Sequence, residues 1–140
     1  MEHFNIREAQ GTDLPFIYDT FLRSYKSSSD IGRHIHPELF FSEYRIILDH
    51  ILDNSNTLIA CHTDDPEVIF GYLISNKSRL HYIFIKGAFR QLGIAKALYQ
   101  HSLKNSELNY FDCITHKTKY IKTDIPYQPY CSFKAVINEE

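Results

Sequence analysis

With 140 residues, 44% hydrophobic and 23% charged, the chain is expected to form one domain, 1–140, large enough to bury its own core. A formal net charge of −2 gives no overall attraction to nucleic acid or to an anionic membrane surface. Cys61, Cys113 and Cys131 lack C-x-x-C spacing, the polar Glu2 and His3 open no signal-like run, and no apolar run nears the roughly 18 residues of a membrane helix, so a reducing, cytoplasmic setting without membrane contact is expected.

Residues 4–9 alternate apolar and polar side chains and predict a first strand. Gly11-Thr12-Asp13 is a turn. Thr12 or Asp13 then caps a helix running from Leu14 to about Tyr25, with Pro15 in the first turn where its missing N–H costs nothing. Residues 27–35, with three consecutive serines, Asp30 and Gly32, read as a loop. Pro37 opens a second helix through Leu39, Tyr44, Ile47, Leu48 and Ile51, ending near Asn54. Residues 57–62 and 68–74 are strands, joined as an antiparallel hairpin by Asp64-Asp65-Pro66.

The run Leu80-His81-Tyr82-Ile83-Phe84-Ile85 is almost entirely large, apolar or β-branched, which predicts a strand covered on both faces and broken at Gly87. From Gly93 onward, Ile94, Ala95, Ala97, Leu98 and Leu103 recur at helical spacing among Lys96, Gln100 and Lys104, a helix of roughly ten to fifteen residues. Residues 110–115 and 131–137 are expected to be short strands, and Pro126 and Pro129 argue against a long helix between them. Ten Tyr and ten Phe, without Trp, supply core volume and hydroxyls that could line a pocket.

The segment Phe89-Arg90-Gln91-Leu92-Gly93-Ile94-Ala95-Lys96 carries the functional signal. A helix N-terminus has unpaired N–H groups and about half a positive charge, so it stabilises an anion without a dedicated side chain. Gly93 and Ala95 let a diphosphate approach the backbone, and Arg90 and Lys96 add full charges. The same spacing also suits an ordinary strand-turn-helix connection.

Arg90-x-x-Gly93-x-Ala95 resembles the Arg/Gln-x-x-Gly-x-Gly/Ala signature of the GCN5-related N-acetyltransferase (GNAT) superfamily. Ile85 stands five residues earlier, where that family commonly ends its fourth strand with valine, and Phe89 stands where an aromatic often precedes the arginine. Gly87 replaces a frequent proline. The glycine within Val68-Ile69-Phe70-Gly71-Tyr72-Leu73-Ile74 and the Arg7-Glu8-Ala9 then Asp13 to Ile17 opening also resemble the family pattern. The close match covers about residues 80–104. Only 25 residues follow position 115, so the C-terminal part is abbreviated, and the family's Asn-x-x-Ala-x-x-x-Tyr pattern is missing there.

The resemblance implies a mixed α/β (α+β) acyl-CoA N-acyltransferase fold, a central mixed and mostly antiparallel sheet flanked by helices. It implies acetyl-CoA as cosubstrate and acetyl transfer to a primary amine on a small molecule or protein. The backbone of Ile83, Phe84 and Ile85 would meet the thioester, and Arg90, Gln91, Leu92, Gly93, Ile94, Ala95 and Lys96 the diphosphate. His81 occupies a position where aralkylamine acetyltransferases carry a proton-relaying histidine, and imidazole has a suitable pKa; a histidine packed in the strand with satisfied nitrogens is the alternative. Arg79 stands where histone-type members carry a glutamate and cannot serve as that base.

Tyr120, Tyr127 and Tyr130 are candidate acids for the leaving thiolate, with Tyr130 nearest the usual separation and Tyr127 beside it. Glu67 and the His34, His36, Glu38 cluster are further polar options, without metal-ligand spacing, and no metal is expected. Family members often dimerise through terminal strands, so a homodimer with residues 127–137 at the contact is expected. Two other readings stay open: a GNAT-like binding or regulatory module without transfer activity, and a transferase that modifies a nucleobase or nucleic acid, to which Lys117, Lys119 and Lys122 would contribute.

Overall fold

The computed structural model describes residues 4–121 and 123–129. Its elements are β1 (Phe4–Glu8), α1 (Leu14–Ser28), α2 (Asp30–Arg33), α3 (Pro37–Asp53), β2 (Asn56–His62), β3 (Ile69–Asn76), β4 (Arg79–Ile85), α4 (Ile94–Asn105) and β5 (Cys113–Ile114). The five strands form one sheet in sequence order, antiparallel from β1 to β4, with β5 parallel to β4. Among the described residues no helix is long and apolar enough to cross a membrane.

Side-chain alternation along β2 explains the layering. Leu58 and Ala60 pack on the α4 side with Leu73, Leu80, Ile94 and Leu98. Ile59 and Cys61 pack on the other side with Ile17, Phe21 and Tyr25 of α1 and Phe40, Leu48 and Ile51 of α3. Both faces of the sheet are therefore covered, as the continuous apolar character of the central strands requires. Phe21 lies at the centre of the second layer, its ring 4.3 Å from that of Tyr82 and 5.4 Å from that of His116.

Two segments differ from the sequence reading. The expected loop at 27–35 contains α2, because buried Ser29 caps it by accepting from the Gly32 N–H at 2.9 Å. The expected strand at 110–115 contracts to Cys113–Ile114, with Phe111 turned into the α4-side core. The expected strand at 131–137, and with it most of the expected dimer contact, lies outside the described residues.

The start of α1 is tied to the sheet by Arg7, whose guanidinium grips buried Asp13 through two bonds of 2.7 and 2.9 Å and also donates to Pro66 O at 2.9 Å. That bidentate pairing holds the Asp13 carboxyl below its ordinary pKa.

At Gly71, β4 leaves no room for a side chain on β3. A Cβ there would collide with Phe84 O and come within 2.6 Å of Ile85 Cδ1. Gly71→Ala should therefore lower stability by about 1–3 kcal/mol or more in denaturant titrations. Gly11→Ala, whose Cβ would meet nothing within 4 Å, should stay within about 0.5 kcal/mol of the parent. Equal midpoints for the two variants would contradict this packing.

Candidate functional site

The site begins where the sheet stops pairing. Lys86 N donates to Phe70 O at 2.9 Å, and the pairs Tyr72 with Phe84 and Ile74 with Tyr82 share its parity. Alternation in an antiparallel ladder then turns the N–H and C=O groups of Ile83 and Ile85 toward the opposite edge of β4. On that edge β5 pairs only with Arg79 and Leu80, and the last rung is Thr115 N to Leu80 O at 3.0 Å. Beyond it, β4 presents open peptide groups among the described residues.

The chain after β5 forms the facing wall. Lys119 N bonds Ser28 O at the end of α1, at 3.0 Å. Further on, Ile114 N bonds Pro126 O at 2.8 Å and Gln128 N bonds Ile114 O at 2.9 Å. Held at both ends, Thr118, Tyr120, Ile121, Thr123 and Ile125 line a cleft of about 740 Å³ opposite the free edge of β4.

One end of the cleft is the glycine turn. Gly93 has φ of +84° and immediately precedes α4, a conformation that glycine adopts without a Cβ penalty. A Cβ there would meet nothing within 4 Å, so the backbone faces open space. The first bond of the helix is Ala97 N to Gly93 O, 3.0 Å, which leaves the N–H groups of residues 94–96 without an intrahelical acceptor. Phe89, stacked on Phe70 at 4.2 Å and 21°, anchors the turn to the sheet.

Arg90, Lys96 and Lys119 line the cleft, and no Asp or Glu does so among the described residues. The Arg90 guanidinium carbon lies 3.8 Å from the centroid of the Tyr120 ring, and Lys119 Nζ lies 5.2 Å from it, a cation–π arrangement that steadies the positive groups without neutralising them. Lys119 thus serves the cleft, while Lys122 lies outside the described residues.

Of the residues expected at a coenzyme site, Ile83, Phe84, Ile85, Arg90, Gln91, Gly93, Ala95 and Lys96 line this one cleft. The Leu92 side chain is exposed and that of Ile94 is buried in the core; what these two offer is backbone. Tyr127 is off the cleft wall, bridged to Ile114 in the sheet, and Tyr130 lies outside the described residues. Ser24, Tyr82 and Tyr99 also line the cleft. Tyr82 reads as a core strand residue and Ser24 as a polar position on a helix, so only the Tyr82 hydroxyl, hydrogen-bonded to Ser24 Oγ at 2.6 Å, reveals their place.

His81 is the extra residue of a bulge in β4: Ile74 pairs with Tyr82, and the next residue, Ser75, pairs with Leu80. The bulge turns His81 inward. It is 0% exposed and absent from the cleft lining, so the relay position expected for it is not where this side chain sits. Instead its Nδ1 is bonded to Thr115 Oγ1 at 2.9 Å, Thr115 Oγ1 to His116 Nδ1 at 2.8 Å, and His116 Nε2 to the Tyr44 hydroxyl. His81 Nε2 is buried without a partner among the described residues. Burial, then the charge of Arg79, pushes His81 down to about 4. Burial, then the neighbouring His81, pushes His116 down to about 3. Both rings are neutral at physiological pH.

No protein-family profile and no curated protein sequence matches the chain. Its fold does match solved structures. A Pyrococcus furiosus protein assigned as an acetyl transferase superposes with a TM-score of 0.64 at 12% identity, covering 98% of this chain and 93% of that one. A Corynebacterium glutamicum protein named histone acetyltransferase HPA2 and related acetyltransferase gives 0.59 at 15% identity, covering 74% and 72%. A GNAT family acetyltransferase from Brucella melitensis, solved in complex with acetyl-CoA, gives 0.56 at 14% identity, covering 86% and 80%. The chain has the GNAT fold.

The buried histidines make stability depend on pH in a defined direction. An unfolded histidine titrates near 6.5, so below that value the unfolded chain binds protons that the folded chain refuses, and stability falls as pH drops. Between pH 6.5 and 5 the slope should approach about 2.7 kcal/mol per pH unit, two protons' worth. His81→Gln should remove about half of it. A slope unchanged by that substitution, measured by denaturant titration at several pH values, would contradict the enclosed network.

Proposed function

We propose that this chain is an acetyl-CoA-dependent N-acetyltransferase, a compact and divergent member of the GCN5-related superfamily, acting on a primary amine in a soluble, reducing compartment. The observation that carries the reading is a single cleft combining the open edge of β4, the unbonded N–H groups of residues 94–96 and three cations without a carboxylate among the described lining residues. These features suit a ligand with several phosphates at one end and an amide-bearing arm at the other. Bound acetyl-CoA would supply the activated thioester.

In this reading the residues 94–96 hold the diphosphate through backbone donors at the positive end of α4. Arg90, held over the Tyr120 ring, Lys96 and Lys119 contribute long-range attraction and close neutralisation of phosphate charge. Ile83 and Ile85 offer peptide N–H and C=O groups along the β4 edge, where an extended amide chain can take the place of a missing strand. A backbone N–H on that edge is also the donor for the oxygen that becomes negative during acyl transfer, rigidly aimed because the other edge of β4 is locked to β3. Most of the catalytic effect then comes from alignment and backbone electrostatics. His81, with Thr115, His116 and Tyr44, acts as a positioning group that sets the bulge and the start of the facing wall.

Calorimetry with acetyl-CoA tests the site. Gly93→Asp puts a side chain and a negative charge into the open space at the turn; aspartate tolerates the left-handed conformation better than most residues, so the fold should persist by circular dichroism. Binding should be lost. Retention of parental affinity in the folded variant would remove the diphosphate assignment.

A further inference from the structure

The cleft passes through the sheet at the free edge of β4, so its two sides differ in chemistry. Ile83 and Ile85 pack with the α4-side core, whereas Tyr82 and Phe84 pack with the α1 and α3 side. If the coenzyme occupies the α4 side, as in the reading above on which this inference rests, the acceptor amine meets the thioester from the α1 side. The polar side chains placed there among the described residues are neutral hydroxyls, Ser24 Oγ and the Tyr82 hydroxyl, bonded to each other at 2.6 Å.

Among the described residues, no carboxylate at this end is placed to receive a protonated amine. The titratable groups on the described lining are Tyr82, Tyr99, Tyr120, Arg90, Lys96 and Lys119, phenols and cations only. Burial raises the Tyr82 phenol far above its ordinary pKa and keeps it neutral. His81 and His116 are both 0% exposed and closed within their own network. An ammonium entering here would be desolvated with no carboxylate among the described lining residues to pair with it, which is strongly unfavourable. A neutral amine instead donates an N–H to one hydroxyl oxygen and keeps its lone pair for attack.

We propose that the α1 side of the cleft, with Ser24 and Tyr82 as its hydrogen-bonding pair, selects acceptor amines that arrive uncharged, aryl amines above all, over protonated alkyl amines such as polyamines and lysine side chains. The transfer balances without an enzyme base: nitrogen forms a bond to the acetyl carbon, the carbon–sulfur bond breaks, and the proton nitrogen sheds is matched by the one sulfur takes up as the free thiol leaves.

Aniline and benzylamine, close in size, separate the cases. An alkyl amine of ordinary pKa about 10.4 is uncharged in only about one molecule in 10³ at pH 7.4. From pH 6.5 to 8.5, kcat/KM for benzylamine should climb about tenfold per pH unit with the uncharged fraction, while that for aniline stays level. Ser24→Ala and Tyr82→Phe should each raise the aniline KM roughly 3- to 10-fold, the worth of one hydrogen bond, with calorimetric affinity for acetyl-CoA unchanged. A level benzylamine profile, an unmoved KM in both variants, or coenzyme binding with no transfer to either amine would overturn the inference while leaving the coenzyme site intact. Failure to bind acetyl-CoA at all would instead remove the acetyltransferase reading beneath it.

Discussion

The structure depends on a ladder that ends early. β4 is locked to β3 along its whole length, yet on its other edge it pairs with β5 only at Arg79 and Leu80. Strand edges with open peptide groups attract other strands, and proteins normally cover or blunt them. Here, among the described residues, the edge is open inside a cleft faced by the segment that returns from β5. Among the described residues the peptide groups of Ile83 and Ile85 on this edge have no partner, and the pairing with β3 holds them in place.

What keeps the gap open is a buried polar network in an otherwise aromatic layer. Thr115, the residue of the last rung, is also the bridge between His81 and His116. His116 sits against Phe21 and Tyr25 and reaches Tyr44 on α3. The point at which the facing wall leaves the sheet is thus bonded to the bulge in β4 and packed on two helices. A wholly apolar cluster at this position would pack as well but would not specify where the strands part, since dispersion and burial are non-directional. The cost is two imidazoles that cannot ionise in place, and one nitrogen left unpaired among the described residues.

Much of this was legible from residue order. Helix and strand positions followed from periodicity and from Pro15, Pro37 and Gly93. The left-handed turn at Gly93 that opens α4 followed from Arg90-x-x-Gly93-x-Ala95, because turn conformation and the start of a helix are local properties. His81 was not legible in the same way: its neighbours Leu80 and Tyr82 fix it in a strand, but the bulge that turns it inward arises from register between β3 and β4, which no single segment encodes. Ser29 looked like loop composition and is a helix cap, the same chemistry serving either purpose. Ser24 and Tyr82 lie 58 residues apart in sequence and become neighbours only once α1 packs on β4.

The central claim is that the open peptide groups of β4 and the first turn of α4 form one coenzyme site. Amide hydrogen exchange followed residue by residue by NMR, with and without acetyl-CoA, tests it most directly. The account predicts that slowed exchange on addition of the coenzyme concentrates at Ile83, Ile85 and residues 94–96, with little change in β1 or α3. Protection confined to other segments, or none at saturating coenzyme, would contradict it.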